Sequence, residues 1–414
     1  MPAPVQPEVI DTVPEYPASL HRAPVYSRTF WIVFSAQFAL NMVMNSFVMF
    51  PVELARMGAS ATVIGIVVSI GWMAALLARP ACGVAIDRYG RRSIALVFLL
   101  LDAAATLAYI PLQSVGLPMY SVRAIHGAVD GVARVALFAM VYDVLPEAGR
   151  GQAMATFSLC GQITAGIAPI AAEEVIRLSG FELFFMLAAV LCIVSALFVF
   201  FLPADHQVPA TGGTPSLSAS APAYRSILTD HTLSPLWIVT LLFAFGISSR
   251  LSFITPFAYE RGVARIGIYF LIYSVVAVSL RIFGARVIDR VGFSRMLLPS
   301  MLALAAGLAL IARLGSPGML ELAALLGGIG HGYLYPALSA LIIERTPINA
   351  IGRASSIYTS LYDFGYMTGP YLLGAIATGF GYPAMFIVSG AMLLAGAIFY
   401  LLFEPVLDNA GISA

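Results

Sequence analysis

Apolar residues run in blocks along this chain, and the blocks share one length. A helix needs about 20 consecutive apolar residues to cross a bilayer. Twelve stretches meet that measure: 30–50, 62–82, 93–112, 119–142, 152–173, 182–202, 235–256, 266–286, 296–314, 319–343, 353–377 and 382–403. Most connections between them are short, so neighbouring spans are expected to be antiparallel hairpins. One connection, 203–233, is long and rich in Pro, Ser, Ala and Gly, the composition of a linker. The pattern predicts an all-α integral membrane protein of twelve transmembrane helices in two pseudo-symmetric six-helix bundles. The expected units are a flexible tail over 1–28, an N-terminal bundle over 29–202, the linker over 203–233, a C-terminal bundle over 234–403 and a tail over 404–414.

The two halves look duplicated. Arg79 precedes Asp87 by eight residues, and Arg281 precedes Asp289 by eight. Arg88 and Gly90 then match Arg290 and Gly292 at the same offset of 202. Further on, Asp143-Val144-Leu145-Pro146 resembles Glu344-Arg345-Thr346-Pro347, and Pro169 and Pro370 repeat the same offset of 201. An ordered series of such pairs points to an internal repeat.

Composition narrows the class. The chain is 60% hydrophobic and 10% charged, with a mean hydropathy of +0.91. That is too apolar for a soluble core, so the solvent is lipid. A net charge of +1 and the lack of any basic run exclude nucleic acid as a partner. All 22 basic residues are Arg, which a GC-rich genome explains. Their placement predicts orientation. Arg22, Arg28, Arg88, Arg91, Arg92, Arg150, Arg225, Arg286, Arg290, Arg295, Arg345 and Arg353 fall on the side of both termini and the linker, which makes that side cytoplasmic. The expected location is the cell (inner) membrane.

The tail over 1–28 carries six prolines and three acidic residues and lacks the order of a cleavable signal. Cys82, Cys160 and Cys192 sit in apolar stretches without CxxC spacing and read as buried, inert thiols. The five His are scattered, and no H-E-x-x-H or P-loop occurs. Neither an enzyme, nor a metal or cofactor site, nor ATP drive is expected.

The densest charge in the first half is the hairpin Gly83-Val84-Ala85-Ile86-Asp87-Arg88-Tyr89-Gly90-Arg91-Arg92. It fits the G-x-x-x-D-R-x-G-R-R loop between spans two and three of the major facilitator superfamily, which the chain resembles from about 29 to 403. The second copy, at Asp289 and Arg290, is degraded, with Phe293 and Ser294 in place of the two basic residues. Span four carries Arg123-x-x-His126-Gly127, similar to the R-x-x-Q-G pattern of that family's proton-coupled drug-antiporter branch. Span eleven carries Gly365-x-x-x-Gly369-Pro370-x-x-x-Gly374, close to a motif which that branch usually places in span five. Span five keeps only Gly161, Gly166 and Pro169 of it.

The resemblance implies a central cavity lined by spans one, four, seven and ten. It also implies that Asp87 faces the start of span eleven, near Arg353–Ser356, as a latch on the inner face. Physically, unpaired N–H groups at a helix N-terminus favour a carboxylate. Asp143 is expected to pair with Arg88 or Arg91, while Gly83 and Gly90 are expected to allow close backbone approach and a tight turn. The bland alternative is that these arginines only fix topology.

Ionisable residues inside spans are costly and default to functional candidates. Arg123, His126, Asp130 and Arg134 are spaced on one helical face. Asp130 is either a proton carrier or part of a self-neutralising ladder. Gln37, Asn41 and Asn45 form a stripe that either binds a solute or joins helices. Arg250 in span seven, and His331 and Tyr335 in span ten, complete the expected cavity. Asp363, in span eleven, either takes protons or pairs with Arg250. Arg79 and Arg281 are expected to snorkel or brace the hairpins, and Asp102 to pair with an Arg of a neighbouring span.

The resulting expectation is a secondary transporter of a small organic solute. It would act as a monomer by alternating access, with proton-coupled efflux as the leading mode. The positive cavity favours an anionic or zwitterionic solute. Proton-coupled uptake of an organic anion or sugar-like solute is the alternative, and a transporter-like sensor a more distant one.

Overall fold

The computed structural model describes residues 26–145, 149–202, 221–263, 265–284, 287 and 290–409. Helix is the regular structure throughout these residues, and eight helices are long and apolar enough to cross a membrane. Two of the eight are each a pair of helices joined at a glycine. Gly180 (φ 78°) divides Arg150–Phe200, and Gly381 (φ 84°) divides Ile351–Asn409. With the shorter helices Arg91–Leu107 and Gly267–Phe283, the described residues form twelve spans. In chain order, spans one to twelve are Arg28–Arg56, Ala61–Tyr89, Arg91–Leu107, Leu117–Val144, 150–179, 181–200, Ser234–Glu260, Gly267–Phe283, Phe293–Ala312, Pro317–Glu344, 351–380 and 382–409.

Local chemistry sets many of these ends. Ser27 and Ser60 cap spans one and two, their hydroxyls accepting from Phe30 N (3.1 Å) and Val63 N (3.4 Å). Span three stops at Leu107, short of the expected 112, because Pro111 follows closely and cannot donate into a continuing helix. Gly90 and Gly292 end spans two and eight's hairpins with nearly equal backbone angles, φ 81° and ψ 153° against φ 89° and ψ 149°. That conformation favours glycine, so the repeat read in the sequence is a repeat of turn geometry. Gly83 is different. A Cβ built there meets nothing within 4 Å, so the expected close approach at Gly83 is not made. The linker holds a short helix, Ala221–Leu228, which the Pro- and Ser-rich composition concealed. It docks on span seven, where Trp237 Nε1 donates to Ile227 O at 3.3 Å.

Exposed apolar side chains such as Leu77, Leu100, Ile125 and Phe200 cover the outside of the bundle, as a lipid solvent requires. The span ends joined by the linker, near residues 28, 90, 200, 234, 292 and 344, define one face of the molecule, here the linker face. The two halves meet at the far face. A Cβ on Gly65 would come 2.0 Å from Pro370 O, so spans two and eleven touch backbone to backbone. Thr62 Oγ1 and Thr378 Oγ1 lie 2.8 Å apart. Glu173, at the end of span five, accepts from Ile266 N (2.7 Å) and Gly267 N (2.8 Å) at the start of span eight. Thr255 donates to Val48 O at 2.7 Å, joining spans seven and one.

The buried apolar residues divide the same way. One cluster runs from the C-terminal half through Phe47, Phe50, Ile64 and Phe184 at the far face of the N-terminal half. The linker-face end of the N-terminal half has a separate cluster around Phe30, Ile94, Leu137 and Phe157. The halves thus share a buried apolar cluster at the far face and, among the described residues, none at the linker face.

Candidate functional site

Between the halves lies a cavity of about 330 Å³. Spans one, four, seven and ten contribute to its wall as expected, and spans two, five, eight and eleven do so too. Asn41, Asn45, Arg123, His126, Asp130, Arg134, Arg250 and His331 all reach this one space. Gln37, Tyr335 and Asp363 do not line it.

Span four supplies the cavity's chemistry from a single face. Arg123 crosses Gly71 of span two, where a Cβ would come 2.5 Å from its Nε. Gly127 lies on the Gly71 backbone, a Cβ there standing 2.2 Å from Gly71 O. This glycine seam lets span four approach span two and turns Arg123 inward. The guanidinium stands 5.9 Å from the ring centroids of both Phe47 and Phe50. One turn and more along, Asp130 and Arg134 form an ion pair at 2.5 Å, and Arg134 also touches Met44 Sδ.

His126 points partly away from the cavity. The residue is 4% exposed, with Nδ1 3.1 Å from the Tyr109 hydroxyl and Nε2 3.3 Å from Asp102 Oδ1. Asp102 Oδ2 accepts from Cys192 Sγ at 3.5 Å. The partner of Asp102 is therefore a histidine and a thiol, not the arginine expected. Asp102 is fully buried, and its polar partners come from span four, at His126, and span six, at Cys192.

The stripe on span one joins helices, and part of it faces the cavity. Gln37 donates to Asn41 Oδ1 at 3.0 Å, and Asn45 donates to Thr164 Oγ1 of span five at 3.0 Å. Asn41 and Asn45 also line the cavity, whereas Gln37 is a link in the ladder.

In the other half, Arg250 lies 4.1 Å from the Tyr273 ring and 5.8 Å from Phe270. It does not pair with Asp363. Asp363 forms a close ion pair with Arg79 of span two instead. The reason is packing: span eleven lies against span two, so Arg79 reaches across the halves and neither snorkels nor braces its own hairpin. His331 Nδ1 stands 2.8 Å from the Tyr273 hydroxyl. Tyr335 sits in a ring cluster with Tyr358 (5.4 Å) and Tyr362 (5.2 Å), and Arg281 lies 5.9 Å from it.

At the hairpin, Arg91 pairs with Asp143, as the sequence allowed, and donates to Ala139 O at 3.3 Å. Arg92 donates to Phe200 O at 2.7 Å, tying span three to span six. Arg88 lies over its neighbour Tyr89 at 5.2 Å. Asp87 is exposed, and no hydrogen bond or ion pair joins it to 353–356 among the described residues. The expected latch contact is therefore not made among the described residues. Arg290 is exposed, and Asp289 lies outside the described residues. Among ion pairs between described residues, Arg79–Asp363 alone joins the two halves.

Arg79, Tyr273, Trp72 and Glu173 are the contributors that sequence reasoning missed or misplaced. Glu173 left a signal, a carboxylate ending the apolar run of span five. Tyr273 and Trp72 left none, since an aromatic in an apolar span is the ordinary case.

Known proteins agree with this geometry. Over 375 residues the chain is 22% identical to the staphylopine export protein of Staphylococcus aureus (strain Mu50), covering 89% of this chain and 93% of that one. It is 25% identical over 369 residues to the multidrug resistance protein MdtG of Salmonella typhi, covering 87% and 90%. The crystal structure of nucleoside transporter NupG superposes with a TM-score of 0.79 at 15% identity, over 91% of this chain and 99% of that chain, a likeness of fold. The model of the Major Facilitator Superfamily matches residues 29–265 and 261–413, nearly the whole span-bearing chain. This multi-pass membrane protein therefore belongs to the Major Facilitator Superfamily of transporters.

Proposed function

We propose that the protein is a secondary active exporter that exchanges a small anionic or zwitterionic organic solute for protons, working as a monomer in the inner membrane with its linker face cytoplasmic. The observation that carries this reading is the charge of the cavity. Arg123 and Arg250 line it without a carboxylate partner among the described residues, while its one lining carboxylate, Asp130, is matched by Arg134. A desolvated guanidinium wants an acceptor of opposite charge. The direction follows the relatives, whose names are those of an export protein and a multidrug resistance protein.

Exchange needs solute and proton to compete. An amine on the solute does so at Asp130, where ammonium and proton are alternative ways to satisfy one carboxylate. Solute bound from the linker face leaves when the halves rock, and the proton takes Asp130 on the far side for the return. Arg79–Asp363 is a second place for a proton to act, since neutralising Asp363 releases a tie between the halves.

A second reading is favoured by the Asp130–Arg134 pair itself. For an anion without an amine, protonating Asp130 frees Arg134 and strengthens binding. Proton and solute then travel together, which is uptake.

The test is a thermal-shift panel of organic cations, carboxylates and amine-bearing carboxylates on purified protein. Carboxylates and zwitterions should stabilise it, and preference for organic cations would overturn the reading. The best compound is then followed in proteoliposomes with an imposed pH gradient. Asp130→Asn should keep solute counterflow and lose gradient-driven accumulation.

A further inference from the structure

The two arginines without carboxylate partners come from opposite halves. Arg123 is on span four and Arg250 on span seven, and both line the same cavity. They are held in the same manner. Arg123 rests near Phe47 and Phe50, each at 5.9 Å, with Gly71 leaving room for it. Arg250 rests on Tyr273 at 4.1 Å and near Phe270 at 5.8 Å. Each guanidinium also hydrogen-bonds one phenol, Tyr109 for Arg123 and Tyr269 for Arg250, and an aromatic face leaves the remaining in-plane donors of the fork unused.

Both side chains carry an unmet demand. The Nε of Arg123 and the Nε of Arg250 are buried with no hydrogen-bond partner. Arg250 is only 6% exposed. Neither lies within ion-pair distance of a carboxylate among the described residues. Because Arg134 is matched by Asp130 at 2.5 Å, the cavity is left with two positive charges, one from each half.

We infer that the solute carries two anionic groups, one received by Arg123 and the other by Arg250, on a body that lies against Trp72 and Tyr366. Those two rings also come one from each half, with centroids 5.4 Å apart, and both line the cavity. This inference rests on the anionic-solute reading above and sharpens it. Carboxylate and phosphate share the fork geometry that arginine accepts. A solute with two such groups bridges the halves. A solute with one group engages a single half and gives no reason for the halves to move together.

The experiment measures binding to purified protein in lipid nanodiscs. The probes are straight-chain α,ω-dicarboxylates of increasing length, monocarboxylates of the same lengths, and matching diphosphonates. A second charge-assisted contact is worth about tenfold or more in affinity, so at least one diacid should bind about tenfold tighter than its monoacid. The dicarboxylate and diphosphonate series tell a carboxylate site from a phosphate site. In Arg123→Gln, and separately in Arg250→Gln, the advantage should vanish while monoacid binding persists at the remaining arginine. Arg123→Lys and Arg250→Lys, which keep the charge but not the fork, should retain part of it. Equal binding of mono- and diacids, no binding of any diacid, or an advantage surviving both Gln variants overturns the two-point site. Equal mono- and diacid binding leaves the anionic reading standing, whereas preference for organic cations removes both.

Discussion

Asp363 pairs not with Arg250 of its own half, the partner the sequence offered, but with Arg79 of the other half. Its side chain is 19% exposed and that of Arg79 40% exposed, so water screens the pair. The contact is worth on the order of 1 kcal/mol, the scale of a partly exposed pair measured by a double-mutant cycle. Arg79→Ala and Asp363→Ala should each lower the melting temperature in detergent, and the double variant should lose less than the sum. Simple additivity would show that the pair is incidental. The span-four face was legible because a spacing of three and four places residues on one side of a helix wherever that helix sits. Partners were not legible. Asp102 with His126 and Arg79 with Asp363 depend on which spans adjoin, which no local spacing encodes.

At the level of elements, glycine seams decide how near the spans come. Spans two and eleven touch at Gly65, and spans five and eight at Gly166, where a Cβ would stand 2.9 Å from Ser274 Cβ. The atom facing Gly65 is a backbone carbonyl that cannot swing aside. Gly65→Leu should therefore insert and fold yet hold the far face open. Spin-label distances across the far ends of spans two and eleven should lengthen, and transport should be lost; an unchanged distance would contradict the seam. Element existence was plain from the apolar blocks. The linker helix Ala221–Leu228 was hidden because its stability comes from docking on span seven, not from its own composition.

For the whole molecule, the division of the buried clusters matters more than any single contact. The halves share a buried apolar cluster at the far face and, among the described residues, none at the linker face, the asymmetry that the proposed alternating cycle requires of one of its ends. Asp87 is exposed, and on the proposed cycle it would meet the start of span eleven when the linker face closes. Asp87→Ala should then leave the melting temperature of the present conformation unchanged while cutting transport severalfold or more. Full transport by that variant in vesicles would remove Asp87 from the cycle. The repeat and the twelve-span outline were legible because duplication preserves turns such as Gly90 and Gly292. The conformation was not, since both ends of the cycle use one sequence.

The grip of Glu173 on Ile266 and Gly267 bears on how the carrier idles. Parting the far face strips two backbone N–H groups of a charged acceptor and a carboxylate of two short hydrogen bonds. An empty carrier can offset that loss only with contacts made at the linker face, which biases its resting population toward the far side shut. On the exporter reading proposed above, cargo binding adds to what the linker face supplies, so an unloaded swing is the rarer event.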